Sequence, residues 1–287
     1  MTKMQGFYYV ETQGQIHECR LRGILKKTDR KDNCIVGDVV EFSEDHSITK
    51  VFERKNIIHR PLVANIDYIV IQFSAIDPKL DYERINVLIL NSYYYKIKPL
   101  IIINKIDLIE EEDIEEIKNN LHYLKALDID LFFVSTTENI GIEEVSSYIK
   151  DRITAFGGPS GVGKSSILNL LQKSVTLKVG ETSRKLKRGK HTTRATTLLH
   201  LKEGGFVIDT PGFSSVDLPE IKNVQELIDL FPEFSVDEQC RFSNCIHVNE
   251  PGCAVKDAVE RGDISKERYE FFLRCYEKLK TERWNKL

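Results

Sequence analysis

Eight residues just past the middle of the chain constrain the fold more than any other part of the sequence. The stretch GPSGVGKS, residues 158–165, matches the pattern G-x-x-x-x-G-K-[ST] in full. The apparent strand ITAF precedes it and the helical run SSILNLLQ follows it, which is the context that this pattern requires. Glycines let backbone N–H groups converge on an anion at a helix N-terminus, where the helix dipole adds to the attraction. The stretch therefore predicts a phosphate-binding loop within an α/β domain.

The same pattern assigns roles to individual residues of the loop. Lys164 is expected to reach the β- and γ-phosphates of a nucleotide, and the Ser165 hydroxyl is expected to bind Mg²⁺. The other predicted phosphate contacts are Gly158, Pro159, Ser160, Gly161, Val162, Gly163 and Ser166. We therefore expect Mg²⁺ to act as a cofactor that arrives with the nucleotide.

A second motif selects the base of that nucleotide. Asn104-Lys105-Ile106-Asp107 follows the apolar strand KPLIII, so it is expected at the carboxyl end of a sheet, where ligands bind. The Asp107 carboxylate can accept hydrogen bonds from N1–H and the 2-amino group of guanine, whereas adenine has no proton at N1. Asn104 is expected to brace the site and the Lys105 stem to cover the base. Ser135 begins a Ser-Thr-Thr turn that is expected to offer backbone donors to the guanine oxygen.

Two further segments complete the predicted site for GTP and GDP. Asp-Thr-Pro-Gly, residues 209–212, follows the strand GFVI and places Asp209 near Mg²⁺ and the Gly212 N–H near the γ-phosphate. Between this motif and the phosphate loop lies HTTR, residues 191–194, which offers Thr193 as a second hydroxyl ligand of Mg²⁺.

The position after Asp-Thr-Pro-Gly carries no residue that could orient a water molecule, because Phe213 stands there. A GTPase of this kind should be slow alone and should need another group, and His191 is the predicted catalytic residue. A histidine in this basic loop could instead contact an RNA phosphate, and that alternative stays open.

These motifs occur in a rotated order along the chain. An ordinary GTP-binding domain begins with the phosphate loop and reads guanine late, whereas here Asn104 precedes Gly158. A circular permutation preserves the three-dimensional site if the original termini lay close together, as domain termini often do. The order therefore predicts a circularly permuted GTPase domain.

Changes in apolar periodicity divide the chain into three predicted domains. Residues 1–62 carry short alternating segments broken by glycines, which predicts a five-stranded RNA-binding barrel of the OB-fold type, although an SH3-like barrel also fits. Residues 63–219 alternate continuous apolar runs with segments of helical spacing, as in a doubly wound α/β domain with parallel strands. One of these helical segments is EEEDIEEIKNNLHYLKAL, residues 110–127. Residues 220–287 are polar and helical.

Four potential metal ligands lie close together in the last of these regions. Cys240, Cys245, His247 and Cys253 have the spacing C-x4-C-x-H-x5-C. Four soft or borderline ligands without an open position predict one structural Zn²⁺ ion. The other cysteines are interpreted as packing residues: Cys19, Cys34 and Cys275.

The composition and charge of the chain indicate its cellular location and the kind of partner that it binds. The 287 residues are 41% hydrophobic and 30% charged, as in soluble globular proteins, and no apolar run is long enough to cross a bilayer. We expect no membrane contact and a cytoplasmic location. The net charge is −3, yet residues 183–194 contain six Lys or Arg and no acidic residue. Such a local basic patch indicates contact with a polyanion, although a solvated surface is also possible.

The barrel, the permuted motifs and the Cys/His cluster together resemble the ribosome small-subunit-dependent GTPase A family (RsgA, also called YjeQ or YloQ). The resemblance extends over essentially the whole chain. It implies a late assembly factor of the bacterial 30S subunit that binds 16S rRNA near the decoding region through its OB-fold and zinc regions. It also implies GTP hydrolysis stimulated by the subunit, with His191 involved in that step. We further expect a monomer.

Two functions of other classes remain possible on the residues alone. The first is a P-loop kinase or ATPase, against which the guanine chemistry of Asp107 argues. The second is an RNA-binding scaffold in which the nucleotide has only a structural role. Turnover of GTP with and without small subunits would separate all three.

Overall fold

The N-terminal region is built from short, mostly antiparallel strands. The computed structural model describes residues 3–4, 7–23, 33–59, 61–173, 198–209 and 217–284. Five strands form one sheet in the order β1-β2-β3-β5-β4: β1 (Lys3–Met4), β2 (Phe7–Thr12), β3 (Gln15–Leu21), β4 (Val40–Phe42) and β5 (Ser47–Val51). Gln13 and Gly14 both have positive φ, which suits a two-residue hairpin turn between β2 and β3. Strands β6 (Ile57–His59) and β7 (Leu62–Ala64) form a separate antiparallel pair.

A small apolar core stabilises the five-stranded sheet. Its buried members include Tyr8, Val10, Leu21 and Ile48, which follow the alternation expected of half-buried strands. Cys19 and Cys34 are buried in the same core, which confirms their interpretation as packing residues.

The second sheet carries the motifs. Its six strands lie in the order β10-β9-β8-β11-β13-β12. Their bounds are β8 (Tyr68–Ser74), β9 (Lys98–Asn104), β10 (Leu131–Val134), β11 (Ile153–Gly157), β12 (Leu198–His200) and β13 (Phe206–Asp209). β9 pairs with β10 and β11 with β13 in parallel, as the continuous apolar runs predict. β12 is antiparallel to β13 and was not predicted, because three residues are too few to show a periodicity.

Among the described residues, five helices connect these strands: α1 (Tyr82–Tyr94), α2 (Glu111–Asn120), α3 (Tyr123–Ala126), α4 (Ile142–Tyr148) and α5 (Lys164–Leu171). α1 begins where the Asp81 carboxylate accepts the Arg84 N–H at 2.9 Å, a common N-cap arrangement. The sequence predicted one helix over the region of α2 and α3. The helix instead tightens at Leu121, whose N–H bonds to the carbonyl of Lys118 as well as that of Ile117. Asn119 and Asn120, which favour helix ends, come just before this break.

The C-terminal region is helical, as predicted. It contains α6 (Val224–Ile228), α7 (Ala254–Arg261) and α8 (Lys266–Trp284). Leu90 of α1 packs into the same apolar core as Leu227, Phe231 and Phe272, so this core joins α1 to the C-terminal helices. No helix in the described ranges combines the length and apolar composition needed to cross a lipid bilayer.

A buried charge fixes the contact between α8 and α1. Arg268 is 1% exposed, and its Nε donates to Glu233 Oε1 at 2.7 Å. Its Nη1 donates to Asn86 Oδ1 of α1 at 3.0 Å, and the guanidinium carbon lies 4.7 Å from the centroid of the Phe231 ring. A planar guanidinium can serve a carboxylate, an amide and an aromatic face at once.

The described chain groups into two compact units, each assembled from segments that are distant in sequence. The first contains Met1–Ile69, Gly141–Gly157 and Lys164–Phe213. The second contains Val70–Ile140, Gly158–Gly163 and Ser214–Leu287, so it holds the guanine-reading motif, the glycine-rich part of the phosphate loop and the C-terminal helices.

Replacing Arg268 should destabilise the protein strongly. Arg268→Met leaves the Glu233 carboxylate buried without its cation, so the free energy of unfolding should fall by about 3 kcal/mol. The control is Arg274→Met, because Arg274 and its partner Glu83 are 53% and 51% exposed; this change should cost less than about 1 kcal/mol. Urea unfolding followed by circular dichroism measures both. If the free energy of unfolding falls equally in the two variants, burial of the Arg268–Glu233 pair does not increase the cost of breaking it.

Candidate functional site

Asn104 is the central residue of the predicted guanine site. It ends β9 and is fully buried. Its Nδ2 donates to the Val162 carbonyl at 2.9 Å, and its Oδ1 accepts the Thr136 N–H at 3.2 Å. One amide thus joins the guanine-reading motif to the phosphate loop and to the Ser-Thr-Thr turn. This arrangement agrees with the bracing role expected of Asn104.

The rest of the guanine motif turns away from the strand. Lys105 has a φ of 65°, in the left-handed region, and a 3₁₀ turn over Ile106–Leu108 follows it. The Lys105 Nζ donates to the carbonyl oxygen of Asp77. Asp107 Oδ1 is buried and has no hydrogen-bond partner among the described residues. A buried carboxylate oxygen of this kind is costly unless a ligand supplies donors, and the N1–H and 2-amino group of guanine are suitable donors.

The Ser-Thr-Thr turn follows β10 and is held by its own hydrogen bonds. The Ser135 N–H donates to Ile140 O at 3.0 Å, and Ser135 Oγ accepts the Glu138 N–H at 3.0 Å. The Thr136 N–H is used by Asn104. Ser135 is therefore a residue that shapes the turn, and the N–H groups of both Ser135 and Thr136 already have protein acceptors.

The phosphate loop has no room for side chains at two of its glycines. A Cβ on Gly158, which has a φ of 137°, would lie 2.0 Å from the backbone oxygen of Gln72. A Cβ on Gly163, with a φ of 94°, would lie 2.3 Å from Asn104 Nδ2. Gly161 also has positive φ. The loop backbone thus packs directly on β8 and on the guanine motif, as a backbone cradle for an anion requires.

Some of the other residues predicted to bind phosphate or Mg²⁺ lie on α5 and β13, and the rest lie outside the described residues. Lys164, Ser165 and Ser166 form the first turn of α5, so they lie at a helix N-terminus, where an anion is favoured. Asp209 is the last residue of β13, and its side chain is outside the described part of the structure. The remaining three predicted residues lie outside the described residues: His191, Thr193 and Gly212.

The four potential metal ligands meet in one cluster. The ligand atoms of Cys240, Cys245, His247 and Cys253 all lie within 4.8 Å of one another. His247 Nδ1 is 3.3 Å from the sulfur of Cys253 and 3.7 Å from that of Cys240. Ligand atoms around a tetrahedral Zn²⁺ ion are about 3.3–3.8 Å apart, given bond lengths of about 2.0–2.3 Å. The cluster could therefore hold a metal ion.

The surroundings of the cluster favour a neutral imidazole and a preformed loop. Burial lowers the pKa of His247, which keeps the ring neutral and able to coordinate a metal. The Glu250 carboxylate accepts the N–H groups of Ile246 and Val248, and the Tyr269 hydroxyl of α8 donates to the His247 carbonyl at 2.7 Å. These bonds shape the loop that carries the ligands.

The motifs do not single out Gln72, which also belongs to this site. It lies in β8, is fully buried, and donates from Nε2 to the Val162 carbonyl at 3.0 Å. Its only signal in the sequence is one amide within the apolar strand IDYIVIQF.

The family model described as RsgA GTPase matches residues 51–219, and the RsgA N-terminal domain matches residues 1–49. The chain belongs to the RsgA GTPase family. Among its relatives, the small ribosomal subunit biogenesis GTPase RsgA of Fusobacterium nucleatum subsp. nucleatum is 55% identical over 285 residues, 99% of this chain and all of the relative. The RsgA of Caldanaerobacter subterraneus subsp. tengcongensis is 42% identical over 96% of this chain and 93% of its own length.

Two solved structures resemble nearly the whole chain. YjeQ from Thermotoga maritima has a TM-score of 0.80 and 33% identity, covering 95% of this chain and 93% of its own. YloQ, described as a circularly permuted GTPase, has a TM-score of 0.78 and 30% identity, covering 98% and 94%. These likenesses confirm the predicted fold class, including the rotated order of the GTPase motifs.

Proposed function

We propose that this RsgA family member binds GTP and GDP and hydrolyses GTP during assembly of the small ribosomal subunit. The observation that carries the proposal is the buried Asp107 Oδ1, which has no hydrogen-bond partner among the residues that the structure describes. It lies three residues after Asn104, whose side chain bonds to the phosphate loop. Base recognition and phosphate binding are thereby connected through one amide. Related proteins of this length are named small ribosomal subunit biogenesis GTPases, which supports the assembly role.

In the proposed guanine site, Asp107 accepts from N1–H and the 2-amino group of the base. Asn104 supports this carboxylate indirectly, because it braces the motif against the loop. The Lys105 stem covers one face of the base. Ser135 maintains the turn from which a later backbone N–H binds the guanine oxygen.

In the proposed phosphate site, the backbone N–H groups of Gly158 and of residues 160–163 surround the anion, whereas Pro159 has no N–H and contributes only to the path of the loop. Lys164 neutralises the β- and γ-phosphates, and Ser165, Thr193 and Asp209 hold Mg²⁺. Ser166 adds an N–H at the helix N-terminus, and Gly212 binds the γ-phosphate. A Mg²⁺ ion held by these three residues would supply positive charge next to the transferred phosphoryl group.

The proposed partner is the 30S subunit, contacted through 16S rRNA. The basic residues 183–194 support this choice, because an rRNA backbone is a polyanion. We also propose three domains, residues 1–62, 63–219 and 220–287, with a structural Zn²⁺ in the last. The protein would act as a monomer in the cytoplasm.

Base choice tests the role of Asp107. Asp107→Asn replaces one acceptor oxygen with a donor, so GTP affinity should fall by about a hundredfold, the loss expected for a charge-assisted pair. XTP, which carries a carbonyl in place of the 2-amino group, should gain relative to GTP. Competition against a fluorescent GDP analogue measures both. Asp128→Asn, at a side chain that is 92% exposed, is the control and should change neither affinity. An unchanged GTP-over-XTP preference in Asp107→Asn would contradict the assignment.

Metal analysis tests the cluster. One zinc ion per chain should copurify, and Cys245→Ser should lose it and loosen the C-terminal region with GTP affinity nearly unchanged. Cys275→Ala is the control, because Cys275 is buried in the same apolar core but outside the cluster, so this variant should keep its zinc. Elemental analysis gives the stoichiometry, and a metal-free wild-type protein would refute the zinc site.

Hydrolysis tests the proposed catalytic residue. His191→Ala should retain GTP and 30S binding but lose most of the stimulated hydrolysis, by about a hundredfold or more, because no group would then position the water. Lys164→Ala should instead weaken nucleotide binding itself. Phosphate release with and without 30S subunits separates the two effects. If His191→Ala is stimulated as strongly as the wild type, the histidine is only an rRNA contact.

A further inference from the structure

The Val162 carbonyl oxygen in the phosphate loop is held by two side chains. Gln72 Nε2 of β8 donates to it at 3.0 Å, and Asn104 Nδ2 of β9 donates to it at 2.9 Å. A carbonyl oxygen has two lone pairs, so these two bonds use its full accepting capacity. Both amides are fully buried, so water does not compete for this oxygen.

Holding this oxygen also orients the next N–H group of the loop. The Val162 carbonyl and the Gly163 N–H belong to the same peptide group, and in a planar trans peptide they point in opposite directions. An oxygen directed toward Gln72 and Asn104 therefore directs the Gly163 N–H away from those side chains. N–H groups of this loop pattern cradle the α- and β-phosphates of a nucleotide. Gln72 thus acts on a phosphate-binding donor without touching the phosphate.

The other polar atom of the Gln72 amide adds no hydrogen bond within the described part of the fold. Gln72 Oε1 is buried and has no hydrogen-bond partner within the described ranges. Turning the amide over would place Oε1 against the Val162 oxygen, where two acceptors would face each other, so the orientation is determined. Its strand neighbours Ile71 and Phe73 are buried and apolar. An apolar side chain would suit the interior better, so the bond to the loop is the physical reason for an amide here.

We propose that Gln72 is a positioning residue for nucleotide binding. Together with Asn104 it holds the Val162 peptide so that the Gly163 N–H is directed toward the α- and β-phosphates before the nucleotide binds. This inference rests on the proposed GTP and GDP binding and concerns the phosphate part of the site. Asp107, and not Gln72, recognises the base.

The test uses Gln72→Met, which keeps the length of the side chain but removes both the donor and the unpartnered oxygen. The dissociation rate constant of a fluorescent GDP analogue, measured by stopped flow, should rise about fivefold, the worth of one hydrogen bond. The melting temperature of the nucleotide-free full-length protein should stay the same or rise. Gln72→Leu should show the same changes. This second variant distinguishes loss of the hydrogen bond from a packing defect that is specific to methionine.

Thr154→Val is the matched control. Thr154 is also a fully buried strand residue, in β11, and its Oγ1 is buried without a partner in the part of the chain that the structure describes. It has no role in the proposed site, so its replacement should leave GDP dissociation unchanged.

Base selectivity provides the second readout. IDP lacks the 2-amino group of GDP. The dissociation constant of IDP divided by that of GDP therefore reports on Asp107 alone. This ratio should be the same in Gln72→Met and in the wild type. A lower ratio would overturn the proposal, because Gln72 would then act on the base. So would unchanged GDP dissociation, or faster dissociation accompanied by a lower melting temperature. Failure of the wild type to bind the GDP analogue would instead overturn the proposed function itself.

Discussion

The hydrogen bonds of one buried amide organise the site. Asn104 contacts Val162 and Thr136, which lie 58 and 32 residues further along the chain. Because Asn104 is fully buried, each of these bonds would leave an unsatisfied group if it were lost. The guanine motif, the turn after β10 and the phosphate loop therefore depend on one another. In a circularly permuted chain these segments keep their spatial relation although their order has changed.

The C-terminal region is joined to the same unit through α1. The buried guanidinium of Arg268 reaches Asn86 of α1 and Glu233 of the C-terminal region, within an apolar core. A buried ion pair adds little net stability compared with apolar packing, but breaking it on one side is costly. Its geometry therefore specifies how α8 lies against α1. The Cys/His cluster lies in a different part of the region, where the Tyr269 hydroxyl of the same helix donates to the His247 carbonyl.

Several elements could be predicted from the sequence, and several could not. The family, the fold class and the meeting of the four metal ligands are confirmed. The single helix predicted over α2 and α3 is wrong, because Leu121 tightens the turn. β12 was not predicted, because a strand of three residues is too short to show an apolar periodicity. The roles of His191, Thr193 and Gly212 stay predictions, since these residues lie outside the described ranges.

The sequence by itself determined which chemistry the chain carries, because each motif is local. The glycines, lysine and serine of the phosphate loop lie within eight residues, and the four metal ligands lie within residues 240–253. Only the tertiary structure decided how these motifs are braced. Gln72 bonds to a residue 90 positions away and Arg268 to one 182 positions away. Such pairs depend on which strands and helices pack side by side, and no periodicity of the chain encodes a contact between residues so far apart.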